Sequence, residues 1–177
     1  MAHQQQFDFV KSVRDKFPES FNKAKVLEVG SLDINGSVRQ FFTDCEYLGI
    51  DVGEGKGVDL VCQGQDMQAP ANFFDTAISC ECFEHNPYWI ATFENMHRMA
   101  KKLVVMSCAT TGRPEHGTRA TSPADAPLIE WDYYKNLTEA DFREKFDLDK
   151  MFSEYEFSTN HQTHDLYFYG IKKQTVV

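Results

Sequence analysis

A chain of 177 residues with 42% hydrophobic residues is one domain by length and has enough apolar material for its own core. Its net charge of −9 argues against a nucleic-acid substrate, because phosphate neutralisation needs clustered Lys and Arg, and no apolar run approaches the ~20 residues of a membrane span. Met1-Ala2-His3-Gln4-Gln5-Gln6 lacks the basic start and apolar core of a secretory signal, and an odd set of cysteines (Cys45, Cys62, Cys80, Cys82, Cys108) reads as reduced thiols, so a cytoplasmic setting is expected.

In chain order, Phe7, Val10, Val13 and Phe17 recur at helical spacing and predict an N-terminal helix, ended by Pro18, against one edge of the core. Apolar runs predict strands at about 25–30 and 46–51, with a helix from Gly36 to Phe42 between them. Glycines at 53–57 mark a surface turn before a short third strand at 58–62, and a fourth strand is expected at 74–79. Asn86-Pro87 offers a cap followed by proline at the first helical position, and Trp89, Phe93, Met96 and Ala100 form the buried stripe of the helix that follows. A fifth strand is expected at 102–108. The stretch 109–137, with Gly112, Pro114, Gly117, Pro123 and Pro127, is too long for a mere connector. Thr138-x-x-Asp141 caps a short helix through Lys145, and runs near 150–158 and 165–172 flank the polar 160–164 as an antiparallel pair. Strand–helix alternation closed by a hairpin gives a mostly parallel sheet with helices on both faces.

The unit from Val26 to Asp51 carries the most chemistry. An apolar run ends in Gly30-Ser31-Leu32-Asp33, and the next strand ends in the carboxylate of Asp51, where a ribose can be held. A dinucleotide turn needs a second glycine where Leu32 stands, and the carboxylate of Asp33 repels phosphate. Gly53-Glu54-Gly55-Lys56-Gly57 lacks the spacing and the Ser or Thr of a P-loop. A cationic ligand with adenosine and no phosphates, such as S-adenosylmethionine, fits better, with Asp51 accepting from both ribose hydroxyls.

Glu28-x-Gly30 with Gly36 and Asp51 resembles the cofactor half of the class I S-adenosylmethionine-dependent methyltransferases. Gln65-Asp66-Met67 resembles the family's adenine segment, and 74–79 followed by Glu81, Phe83, Glu84 and His85 resembles its fourth strand with a Glu-His ending. The resemblance spans about 24–110; the family's Lys-Pro-Gly-Gly turn is absent, and Lys101-Lys102 runs straight into the fifth strand. It implies a Rossmann-like doubly wound, mostly parallel seven-stranded sheet with an antiparallel last strand in a single domain, 1–177. That domain comprises an N-terminal helix within 1–23, a cofactor half at 24–108, and a substrate loop with the C-terminal hairpin at 109–177. It further implies S-adenosylmethionine as cofactor, S-adenosylhomocysteine as product, and contacts from Glu28, Gly30, Ser31, Asp33, Gly36, Asp51, Val52, Asp66, Met67, Cys80 and Glu81. The stretch 107–138 resembles a bacterial subgroup of the same family but brings no substrate with it.

Glu81, Glu84 and His85 stand at the carboxyl end of a central strand, where open α/β sheets place ligands. The loop from Thr110 to Arg119, followed by Trp131 to Tyr134, lies at the same edge. Glu84, Arg113, His116, Tyr133 and Tyr134 are therefore candidate acceptor contacts, and His116, His85 and Asp132 candidate bases. Cys80-x-Cys82-x-x-His85 and His161-x-x-His164-Asp165 invite a metal reading, but the first lacks a second Cys pair and the second reads as a solvated hairpin, so no metal is expected. The expected function is methyl transfer to a small polar metabolite such as a sugar or nucleotide-sugar. The competing readings are a catalytically silent cofactor-binding or partner protein and, less favoured by Leu32 and Asp33, a dinucleotide-dependent oxidoreductase.

Overall fold

Five parallel strands and an antiparallel pair build a seven-stranded sheet in the order β3-β2-β1-β4-β5-β7-β6. The strands are β1 (Lys25–Val29), β2 (Glu46–Asp51), β3 (Leu60–Val61), β4 (Phe74–Cys80), β5 (Ala100–Ala109), β6 (Phe152–Asn160) and β7 (Asp165–Lys172). β7 runs antiparallel to both neighbours, as expected for the closing hairpin. The structure, a computed structural model, describes residues 3–175; Met1 and Ala2, part of the N-terminal segment read above for a signal, lie outside the described residues, as do Val176 and Val177. No helix among the described residues is long and apolar enough to cross a membrane.

The central strands are buried on both faces, which is why they read as continuous apolar runs rather than alternating ones. On one face, Val26, Ile78, Leu103 and Val105 pack against α1 (Gln4–Lys16) through Val10 and Val13. On the other, Leu27, Val104, Met106 and Phe168 pack against α2 (Trp89–Met99) and the short α3 (Glu139–Lys145), around a cluster of phenylalanine rings.

Three expectations shift. The helix predicted over Gly36 to Phe42 is one 3-10 turn, Val38–Phe41, capped by Ser37 Oγ, which accepts from Arg39 N at 3.1 Å. The rest of the connection from Val29 to Glu46 goes into the turn after β1 and into a bridge that pairs Thr43 with Asn22 ahead of β1. α1 covers that face instead, its Phe7 ring meeting Phe41 at 5.9 Å. The third strand keeps only two residues at the sheet edge, Leu60 and Val61, both exposed. α2 starts at Trp89, two residues after Pro87, because Asn86 Oδ1 accepts from Tyr88 N at 2.8 Å and closes a local turn first. The capping box on α3 forms as the spacing predicts: Thr138 and Asp141 exchange side-chain and backbone bonds. Ahead of β6, Leu148–Met151 adds a fourth short helix, α4.

Candidate active site

The carboxyl ends of β1, β2 and β4 open into a cleft at the edge of the sheet where open α/β folds place ligands. Glu28, Gly30, Ser31 and Gly36 line it from the first turn, Asp51 from β2, and Cys80, Glu81 and His85 from the end of β4. A second pocket, lined by Val52, Gln63, Gln65 and Trp131, shares Gly30, Asp51, Cys82 and Ile129 with the first. Asp51 therefore stands on the wall common to two adjoining pockets.

The turn after β1 is held by its own chain. Gly30 sits at φ +79°, and a Cβ there would lie 2.7 Å from Cys82 Cβ, so the position tolerates only glycine without strain. Leu32 N donates to Asp51 Oδ2 at 3.0 Å, and Val52 N donates to Oδ1 at 2.8 Å. Each carboxylate oxygen has a lone pair left for a ligand hydroxyl. Burial still pushes the Asp51 carboxyl up from its ordinary value. Asp33 faces away from the cleft: it accepts from Gly36 N at 2.7 Å and pairs with Lys56 Nζ at 2.8 Å, and Lys56 holds its carboxyl low. Its part is to shape the turn. Glu28 is buried, with Tyr47 Oη donating to its Oε2 at 2.6 Å, and burial raises its carboxyl to about 7.

The end of β4 is strained. Glu81 adopts φ +52°, a left-handed conformation that costs a non-glycine residue of the order of 1–3 kcal/mol. Its Oε1 accepts from Ser107 Oγ at 3.2 Å, and Oε2 is buried without a partner. Burial, and then the Glu84 carboxylate beside it, raise Glu81 to about 8; the fully buried Glu84 is raised by burial as well, with hydrogen bonds to Glu81 and the Ala109 backbone opposing the rise. His85 is 4% exposed, and desolvation holds its imidazole down at about 3.

The long loop after β5 is tied down by its own hydrogen bonds. Trp131 Nε1 donates to His85 O at 2.6 Å, Lys135 N to Glu84 O at 2.9 Å, and Asn136 Nδ2 to Arg113 O at 2.9 Å. His116 is brought against His85, ring centroids 4.9 Å apart and perpendicular, and the Tyr134 ring closes the group at 5.6 Å from His85 and 5.0 Å from His116.

The predicted site residues thus divide. Glu28, Gly30, Ser31, Gly36, Asp51, Cys80, Glu81 and His85 line the main cleft, Val52 lines the second pocket, and Glu84, His116 and Tyr134 form a buried layer behind His85. Asp66 is exposed and Met67 is buried in the core, so neither lines these two pockets; Gln63 and Gln65 do, because the chain turns inward two residues earlier than the resemblance implies. Asp132 is exposed and accepts from Arg119 N at 3.0 Å, bracing the loop. Arg113 is an anchor, paired with Asp165 at 3.0 Å and donating to Thr163 O at 2.9 Å. Tyr133 lines neither pocket.

Sequence reading missed Gln6, Cys82 and the loop segment 126–129, all of which line the cleft. Gln6 carried a signal: it lies four residues before Val10 on the buried stripe, a polar group where the pattern asks for an apolar one. The loop segment carried none, since nothing local says that a chain 46 residues beyond the end of β4 at Cys80 folds back to the pocket that Asp51 lines.

No family model matches the chain, and no curated protein matches it. Solved structures match its fold. A Burkholderia thailandensis 1,6-didemethyltoxoflavin-N1-methyltransferase, with S-adenosylhomocysteine bound, superposes with a TM-score of 0.60 at 13% identity, covering 98% of this chain and 93% of that one. The Synechocystis magnesium protoporphyrin IX methyltransferase with bound S-adenosylmethionine gives 0.62 at 15% identity, covering 94% and 79%. A Haemonchus contortus phosphoethanolamine N-methyltransferase gives 0.64 at 13% identity, covering 94% of this chain but 53% of that one. What these likenesses establish is architecture: the chain has the Rossmann-like fold of the class I S-adenosylmethionine-dependent methyltransferases.

Proposed function

We propose that the chain is an S-adenosylmethionine-dependent methyltransferase acting on a small polar molecule. The observation that carries this reading is Asp51 on the wall common to two adjoining pockets, its carboxylate oriented by Leu32 N and Val52 N. A ribose bonded there would send its base toward Val52, Gln65 and Ile129 and its amino acid tail toward Glu28, Gly30 and Cys80. Leu32 lines the place where a pyrophosphate would need bare backbone, which disfavours a dinucleotide. Buried carboxylates at Glu28 and Glu81 suit a cationic ligand, since a positive charge nearby favours their ionised form.

When bound, S-adenosylmethionine supplies a methyl group already activated by its sulfonium. The protein's task is then alignment, which alone can lower a bimolecular barrier by roughly 7–11 kcal/mol. The acceptor would approach past Glu81 and His85, with the loop segment 126–129 limiting water. Where the acceptor must lose a proton, a base contributes roughly 10²–10⁴-fold when its pKa lies near the working pH; His85 lines the cleft in its neutral form, but burial, which holds its imidazole down at about 3, makes it a weak base as it stands. Polar groups on the acceptor side and the acidic balance of the chain favour a small polar acceptor.

Two measurements test the reading. The melting temperature should rise with S-adenosylhomocysteine and stay unmoved by NAD; the reverse would return the oxidoreductase reading. Label from methyl-labelled cofactor should then enter a small molecule of a metabolite extract. Cofactor binding with no transfer to any extract would make the chain a silent cofactor-binding protein.

A further inference from the structure

Behind the cleft wall, Glu84, His85 and His116 bring three potential metal-ligand atoms to within 4.8 Å of one another in a buried layer. Glu84 is 0%, His85 4% and His116 8% exposed. Among the described residues, both His85 nitrogens and His116 Nε2 are buried with no hydrogen-bond partner, while the Glu84 carboxyl lies buried against that of Glu81. Three such nitrogens in one place are more than folded proteins commonly leave unsatisfied, and each costs stability. The neighbouring hydroxyl does not relieve them, since Tyr134 Oη donates to Asn136 Oδ1 at 2.7 Å.

The geometry points to a divalent transition-metal site, of the zinc type, formed by Glu84, His85 and His116. Two imidazoles and one carboxylate are a known donor set for zinc, leaving a fourth position for water or an acceptor atom. His116 is oriented as metal-binding histidines are: its Nδ1 faces Pro114 O at 3.0 Å, so an N–H there leaves the Nε2 lone pair pointing inward. Tetrahedral bonds of about 2.0–2.2 Å set ligand atoms roughly 3.3–3.6 Å apart. Glu84 Oε1 and His85 Nε2 are 4.0 Å apart and all three ligand atoms lie within 4.8 Å of one another, so ion binding would draw the Glu84 and His85 side chains together and the loop carrying His116 inward. The neighbouring group of His3, Glu81 and Asp165 makes no such demand, because Asp165 already has Arg113 at 3.0 Å and His3 at 2.9 Å as counter-charges.

The ion would join the end of β4 to the loop at 110–134, coupling its occupancy to loop closure over the cleft. The site shares His85 with the cleft wall, and an ion bound there would take that imidazole out of the role of base; the two readings are still tested apart, because zinc binding is measured without cofactor and can fail separately from S-adenosylhomocysteine binding. The full chain, stripped with a chelator, is titrated with Zn²⁺ against a chromophoric competitor, and bound metal is counted by elemental analysis. One Zn²⁺ per chain is expected. His116→Ala, His85→Ala and Glu84→Gln should each weaken it at least about tenfold, in line with the 10–100-fold seen for lesser outer-shell losses. The double variant His161→Asn with His164→Asn, on the closing hairpin, should bind as the parent does. In the parent chain alone, Zn²⁺ should slow hydrogen exchange of amides in 110–134, a readout that survives if a variant fails to fold. Absent stoichiometric binding, binding lost with His161 and His164 instead, parental affinity in folded His116→Ala, or no exchange protection in the loop would each overturn the assignment.

Discussion

Asp51 joins two scales of constraint in one side chain. Its position at the end of β2 follows from the strand pattern, but its use depends on two backbone donors from different turns, Leu32 N and Val52 N. Losing charge-assisted bonds to ribose hydroxyls removes about 1.5–3 kcal/mol. Asp51→Ala should therefore bind S-adenosylhomocysteine about 10–100-fold more weakly by calorimetry; unchanged affinity would remove Asp51 from the cofactor site. Glu28 adds a pH signature. Its carboxyl is raised from 4.5 to about 7, chiefly by burial, with Asp51 and Asp33 adding to the rise and Tyr47 and Arg39 opposing it. The folded state thus holds this proton more tightly than the unfolded chain. The resulting stabilisation is complete below about pH 4.5 and is lost as pH rises through about 7, a change of the order of 3 kcal/mol. Stability of the wild type relative to Glu28→Gln should fall between pH 5 and pH 8 in urea unfolding, and a flat difference would show Glu28 to be ionised throughout.

Among the elements, the turn after β1 and the cap of α3 differ in what they serve. Gly30→Ala puts a Cβ against Cys82 and forces a left-handed φ on a substituted residue. It should lower stability by about 1–3 kcal/mol and weaken S-adenosylhomocysteine binding together. Thr138→Ala removes only the capping box of α3, which lies away from the cleft. Its cost should be about 1 kcal/mol of stability, read as a lower melting temperature, with cofactor affinity unchanged. A matching loss of affinity would mean that α3 positions the acceptor loop. The shortening of the predicted helix at 36–42 to one 3-10 turn belongs to this scale too, beside the N-terminal helix that forms as its apolar spacing predicts.

In the molecule as a whole, the core is a phenylalanine network. Phe93 meets the rings of Phe83, Phe142, Phe146, Phe152 and Phe168 at 4.8–6.3 Å, joining α2, α3 and the closing hairpin. Phe93→Ala should cost about 3–5 kcal/mol in denaturant unfolding and lower the midpoint without loss of two-state behaviour. A cost under about 1 kcal/mol would mean that the rings collapse into the gap.

The strands, their order of burial, the closing hairpin and the first glycine turn were legible in the chain because each is written in local periodicity or in one residue's backbone freedom. Asp51 was legible for the same reason, since a carboxylate at a strand end needs only the strand to be recognised. The register of the second pocket was not: Gln63 and Gln65 replace Asp66 there through where a 3-10 turn falls, which no local pattern encodes. Nor was the meeting of Glu84 and His85 with His116, thirty-one positions apart in sequence. Local residue preferences determined the sheet and its binding edge. Only long-range packing, which folds the loop at 110–134 back under Trp131 and Tyr134, decided which buried groups face one another and which are left without partners.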